Sequence, residues 1–211
     1  EVVAVNSYVS ITGQSRAGGI AGINAGKLEV DSAAASADPK YLTCEAKEVR
    51  ALAGYAGGIA GETRGNIEWA RNESGSVTAD YGPAGGITAV NAIADGTAVS
   101  LVSCQNLGDV NSDYGHAGGI TAENYGTLRD CKVEGSGTKN TTIRSRGTDE
   151  IGAVCAVNNA DASIEGCESG KGVILSGESS VIGGIAGRNL GIITRSLKTE
   201  NVGVMPQVNI S

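Results

Sequence analysis

The stretch Tyr114–Cys131 reads YGHAGGITAENYGTLRDC. Two glycines precede an isoleucine, an Asn-x-Gly follows, and a leucine stands three residues ahead of a cysteine. A single copy would describe a glycine-rich turn and little else. The phrase recurs, however, as AGGIAGINAGKLEV from Ala17, AGGIAGETRGNIEW from Ala56, AGGITAVN from Ala84, AGGITAENYGTL from Ala117, IGAVCAVN from Ile151 and IGGIAGRNLGII from Ile182. Its first glycines are Gly18, Gly57, Gly85, Gly118, Gly152 and Gly183, spaced 28 to 39 residues apart. A period in this range marks a stacked repeat rather than a globule.

Each unit holds three short segments. The first is the glycine-isoleucine phrase. The second follows Asn-x-Gly and carries an apolar residue with a second column three positions later: Leu28/Asp31, Ile67/Ala70, Leu101/Cys104, Leu128/Cys131, Ile164/Cys167 and Ile193/Ser196. The third is a glycine followed two residues on by valine, as in CQNLGDV (Cys104–Val110). All three are four to six residues long, rich in β-branched residues and bounded by Gly, Asn, Asp or Ser, which is strand-and-turn chemistry. Helical 3.6-residue spacing is absent.

Three short strands per unit fit either an antiparallel sandwich or the coils of a parallel β-helix. The fixed unit phrase favours the coil, because equivalent positions then stack about 4.8 Å apart and each sequence column becomes a ladder. One predicted interior ladder is Ile20, Ile59, Ile87, Ile120, Val154 and Ile185; another at a corner is Asn24, Asn91, Asn124, Asn158 and Asn189. The expected fold is therefore all-β: a single parallel β-helix over residues 1–211, about six coils of three short strands each. The general rule for parallel crossovers makes it right-handed. Glycines such as Gly18 and Gly22 are expected to leave room for the isoleucine ladder. Those of Asn-x-Gly (Gly26, Gly65, Gly126, Gly191) are expected to take positive φ at a corner. The longest departure from the period, residues 29–55 with SAAASADPKYLTC, is expected to be an inserted lobe.

Composition agrees with a narrow, regular interior: 33 glycines, one Trp, one Met and no Phe, with hydrophobic content at 40%. A net charge of −7 without a basic cluster excludes the electrostatic footprint of nucleic-acid binding. No run of about 18 apolar residues offers a membrane-spanning helix. The five cysteines form no CxxC pair, and their odd number is not that of a disulfide framework. The chain opens at Glu1 and is expected to be a mature product or a piece of a larger protein.

The repeat phrase resembles the GLUG-motif repeats of bacterial surface proteins: Gly-Gly-Ile/Val-x-Gly, then Asn-x-Gly-x-Ile, then Cys-x-Asn-x-Gly-x-Val. SCQNLGDVNSDYGHAGGITAEN (Ser103–Asn124) follows the pattern closely, and the resemblance covers nearly the whole chain. Departures are Thr63 for Asn, Ala89, Ala122 and Ala156 for the second-phrase glycine, and CKVEGSG in the fourth unit. The resemblance implies an exported, often cell-wall-attached bacterial protein. Some family members are zinc metallopeptidases that cleave immunoglobulin A, with the repeats outside the catalytic domain.

Candidate chemistry is sparse. His116 is the only histidine and precedes Ala-Gly-Gly, so it belongs to no HExxH zinc motif; a surface role fits it better than a triad. Carboxylates that would serve a polysaccharide-processing groove are sought in the outward column Glu29, Glu68, Val102, Arg129, Glu165 and Thr194, whose mixed character is that of a solvated face. The asparagine column is expected to be structural, and Cys104, Cys131 and Cys167 to be small interior residues. No catalytic residue, metal ligand or cofactor is assigned. Tyr81 and Tyr114 share a phase in adjacent units and, with Trp69, are the candidate ligand-binding platform. The sequence thus reads as a non-catalytic, extracellular stalk or adhesin-type module that presents a side face or loops to a host protein or glycan. Flanking domains of the same chain are expected to cover its open ends. The alternatives are a carboxylate-groove enzyme and the non-catalytic repeats of a secreted surface peptidase.

Overall fold

The computed structural model describes residues 9–29, 41–178, 181–198 and 203–206. All regular structure among them is β-strand, and the coils pair in parallel to form a β-helix. Going round one coil, the chain passes through five sheets, here called A to E. Ser76–Ala79 lies in A, Ala84–Gly85 in B, Thr88–Asn91 in C, Ser100–Val102 in D and Gln105–Asn106 in E, before Asp109–Ser112 re-enters A one level up. Six coils follow one another in this way, a rod about 29 Å long at 4.8 Å per level.

The three segments of each unit are present, and corners divide two of them. The glycine-isoleucine phrase bends between B and C. The second segment bends between D and E, at a residue of positive φ: Trp69 (54°), Ser103 (52°), Asp130 (52°), Gly166 (63°) and Arg195 (51°). Four of these five are not glycine, and each such residue costs about 1 kcal/mol or more. Inter-coil bonding offsets that cost, because the same residues donate upward: Trp69 N–H to Val102, Ser103 to Arg129, Asp130 to Glu165 and Gly166 to Thr194, at 2.9–3.0 Å.

The left-handed corner is therefore not at Asn-x-Gly, where the sequence placed it. Gly26, Gly65, Gly126 and Gly191 are absent from the positive-φ residues. What excludes a side chain there is the coil beneath. A methyl on Gly65 would overlap the Gly26 carbonyl, one on Gly126 the Val99 carbonyl, and one on Gly191 the Ala162 carbonyl.

The paired glycines are also explained differently from the period-two spacing expected of Gly18 and Gly22. A methyl on the first of each pair would strike the carbonyl three residues on, Ala21 for Gly18 and Thr121 for Gly118. The second glycine faces sheet E across the interior, Gly58 against Asn72, Gly86 against Asn106 and Gly119 against Val133.

The isoleucine column runs as a file through the core. Ile59, Ile87, Ile120 and Val154 are fully buried, and the end members Ile20 and Ile185 are partly so. Each backbone N–H bonds the next member's carbonyl: Ile20 to Ile59, Ile59 to Ile87, Ile87 to Ile120, Ile120 to Val154 and Val154 to Ile185, at 2.8–3.0 Å. Leu101, Leu128 and Ile164 stack in D, and Val49, Val77, Val110 and Ile143 in A. The asparagines of sheet C form an amide ladder, Asn91 to Asn124 to Asn158 to Asn189, each at 2.8 Å; below it Asn24 bonds Thr63 at 3.0 Å. A second rung pair, Asn72 to Asn106 at 2.7 Å, lies buried in E. Of residues 29–55, Leu42–Cys44 and Glu48–Ala51 are ordinary strands of the rod, and 30–40 lie outside the described residues.

Between the first two coils, Glu62 is buried to 4% exposure and bonds Arg16 and Arg64, both at 2.6 Å. Burial pushes its carboxyl up, but the two arginines together outweigh it and hold the pKa below the ordinary value. Because the folded pKa is depressed, the pair stabilises above the unfolded pKa of about 4.3 and ceases to as pH falls through the lower folded value. Glu62→Gln is expected to cost roughly 1–2 kcal/mol at pH 7, a gap that closes on acidification below pH 4 in urea titrations. Gly65→Ala should cost about 2–3 kcal/mol by overpacking. Gly26→Ala, the same motif position with open space around it, should stay within about 0.5 kcal/mol. Equal losses at both positions would return the explanation to backbone conformation.

Candidate binding face at the corner of sheets A and B

Sheet A ends in each coil with a short corner leading to sheet B. Register fixes what stacks there: Ala51, Ala79, Ser112 and Ser145 are aligned, so the positions two residues on are Ala53, Tyr81, Tyr114 and Gly147. The corner is opened by Gly82 (φ 147°) and Gly115 (φ 157°). Tyr81 and Tyr114 stack with ring centroids 5.3 Å apart and planes 8° from parallel, and each is 64% exposed. Ala53 and Gly147, on either side in the column, carry no side chain large enough to cover the outer ring faces.

Trp69 is not brought to this pair. It sits at the D–E corner, 40% exposed, with Tyr41 tilted against it at 6.0 Å and Arg71 over the Tyr41 ring at 3.9 Å. Neither Tyr41 nor Arg71 was singled out from the sequence, since Tyr41 falls in the stretch read as a lobe.

Beside the tyrosines, on the outer face of sheet A, lies a cleft of about 230 Å³. Its floor is the outward column Arg50, Thr78, Asn111 and Arg144, one residue from each of four successive coils. Arg50 grips Asp80 with two bonds of 2.9 and 3.0 Å, and Arg146 lies 3.3 Å from Asp113. The column was legible in the sequence as the residue following each buried Val or Ile of the third segment. Nothing in the period said that it would be concave.

His116 follows on the B side of the corner. Its Nδ1 lies 2.9 Å from a Glu150 carboxylate oxygen, 3.3 Å from the Glu150 backbone nitrogen and 3.9 Å from Asp149. These three side chains are close enough to suggest a metal site. Arg188, however, holds the other Glu150 oxygen at 2.5 Å, and Glu150 also engages the Nδ1 through its backbone. The group ties three coils together through the Arg188–Glu150 ion pair with the His116 ring beside it, so Glu150 already has a fixed cation.

The outward acids of sheet D are spoken for. Lys27 bridges Glu29 and Glu68 at 2.5 and 3.4 Å, and Arg195 pairs with Glu165. All five thiols are free and buried. Cys104 and Cys131 hydrogen-bond carbonyls of the coil below, Ile67 and Leu101. Burial pushes the Cys131 and Cys155 thiols well up, and contact with Cys131, then burial, does the same for Cys167. A thiol so held is a poor nucleophile.

No family model, curated protein or solved structure matches this chain.

The native protein at pH 8 should leave a chromogenic disulfide reagent uncoloured, and guanidinium unfolding should release all five cysteines. Fast labelling of Cys104, Cys131 or Cys167 before unfolding would mean that the column is open to solvent.

Proposed function

We propose that this chain is a non-catalytic module of a bacterial surface protein that binds a glycan, free or on a host glycoprotein, at the corner of sheets A and B. One observation carries the reading: two parallel, stacked tyrosine rings, 64% exposed and flanked by Ala53 and Gly147. Exposed aromatic area on a rigid scaffold is unfavourable in water unless a ligand covers it, and flat rings offer the C–H faces of a sugar a matching surface. The rod supports this use because the residues just before each ring, Asp80 and Asp113, are hydrogen-bonded to the neighbouring coil, which limits the ordering entropy to be lost on binding. The GLUG-like repeat phrase supports placement at the cell surface, where host glycans are met, and flanking domains of the same protein would carry the module.

The polysaccharide-processing alternative has weaker support. The cleft contains one carboxylate, Asp113, which is tied to Arg146, whereas glycoside hydrolysis usually takes a pair.

A glycan and host-glycoprotein array with the purified chain tests the reading. Tyr81→Ala and Tyr114→Ala should each weaken the best ligand roughly tenfold or more, the scale of losing a central aromatic contact, with unchanged thermal stability. Full retention by both variants would remove the platform.

A further inference from the structure

Arg144 is the odd member of the cleft. Arg50 and Arg146 are each matched by an aspartate. Among the described residues Arg144 has no ion-pair partner, and its Nε is buried without a hydrogen bond. The charge is thus unmatched in a chain carrying 23 acidic against 16 basic residues, and its one buried donor, Nε, is destabilising without an acceptor. Its column neighbours Asn111 and Thr78 are likewise without side-chain partners among the described residues, so the cleft presents a cation, an amide and a hydroxyl on successive levels. Three such levels span about 10 Å, the length of one to two sugar rings.

Position relative to the tyrosines completes the picture. Thr78 and Asn111 stand three residues before Tyr81 and Tyr114 in the same two coils. Ser112 and Asp113, which immediately precede Tyr114, line the cleft, so the cleft adjoins the paired rings. We infer that the cleft is a subsite for an acidic sugar and that the ligand is a carboxylated glycan, of the uronic- or sialic-acid kind, whose carboxylate takes the terminal Nη1 and Nη2 donors of Arg144 while Asn111 and Thr78 bond its hydroxyls. A planar guanidinium matches a planar carboxylate with two parallel bonds. The inference rests on the glycan reading given above and goes beyond it in naming the sugar chemistry.

The test titrates the full chain with a galacturonic-acid oligosaccharide and a sialylated one, each beside its carboxyl-reduced form, with a sulfated oligosaccharide and an acidic peptide as further arms. Reduction of the carboxyl should weaken binding by roughly tenfold or more. Arg144→Gln should bind both forms alike, at the level the wild type shows for the reduced one, and Arg144→Lys should recover part of the difference. The uronic and sialic arms decide which acid is accepted, and preference for either supports the inference. Equal binding of acidic and reduced forms by the wild type overturns it and leaves the tyrosine platform intact. Preference for the sulfated sugar, or Arg144-dependent binding of the acidic peptide that ignores Tyr114→Ala, also overturns it. Absence of binding to every glycan defeats both readings together.

Discussion

Each coil of this protein must lie flat on the one beneath, because its backbone finds hydrogen-bonding partners there and, over most of its length, nowhere else. Level spacing is then fixed near 4.8 Å, and any side chain that lifts one corner breaks the ladder at all of them. The tolerance is smallest where the glycine pairs face sheet E, with Gly58, Gly86 and Gly119 against Asn72, Asn106 and Val133. The core is built of Ala, Val, Ile, Leu and Cys, side chains small enough for this close spacing, and the chain contains no Phe. Stacking in register makes asparagine an acceptable core residue: the amides satisfy one another along the axis, so burial leaves few polar atoms stranded.

Stacking also governs the outside. A column of identical charges would place like on like at every level, so the outward positions alternate or answer one another across coils. Arg50 reaches up to Asp80, Asp113 to Arg146, and Arg16 to Glu62. The first two pairs are partly exposed and individually modest in energy, and all three relieve repulsion that the register would otherwise impose. The pattern is interrupted in two places. Tyrosine occupies its column for two levels only, and Arg144 is a cation without an ion-pair partner among the described residues.

A repeat fold is unusually legible, since a residue's neighbours along the axis are its equivalents in the next unit. The isoleucine and asparagine columns, and the pairing of Tyr81 with Tyr114, follow from aligning the phrase with itself. The corners were less legible. Positive φ falls on Trp69, Ser103, Asp130 and Arg195, residues that give no local sign of it, while the glycines that look made for it serve a steric need. That need comes from a carbonyl about 30 residues away in sequence. Trp69 illustrates the same point, being aromatic and exposed like the tyrosines but held at another corner beside Tyr41.

By itself, then, the sequence determined the period, the strand chemistry and the vertical order of residues, because those depend only on comparing units with each other. Only the tertiary structure decided where each coil bends, which columns face one another across the interior, and that the outer face of sheet A closes around Arg144 beside the paired rings. Those are relations between different parts of one turn, set by the angles at its corners, and no repetition along the chain encodes them.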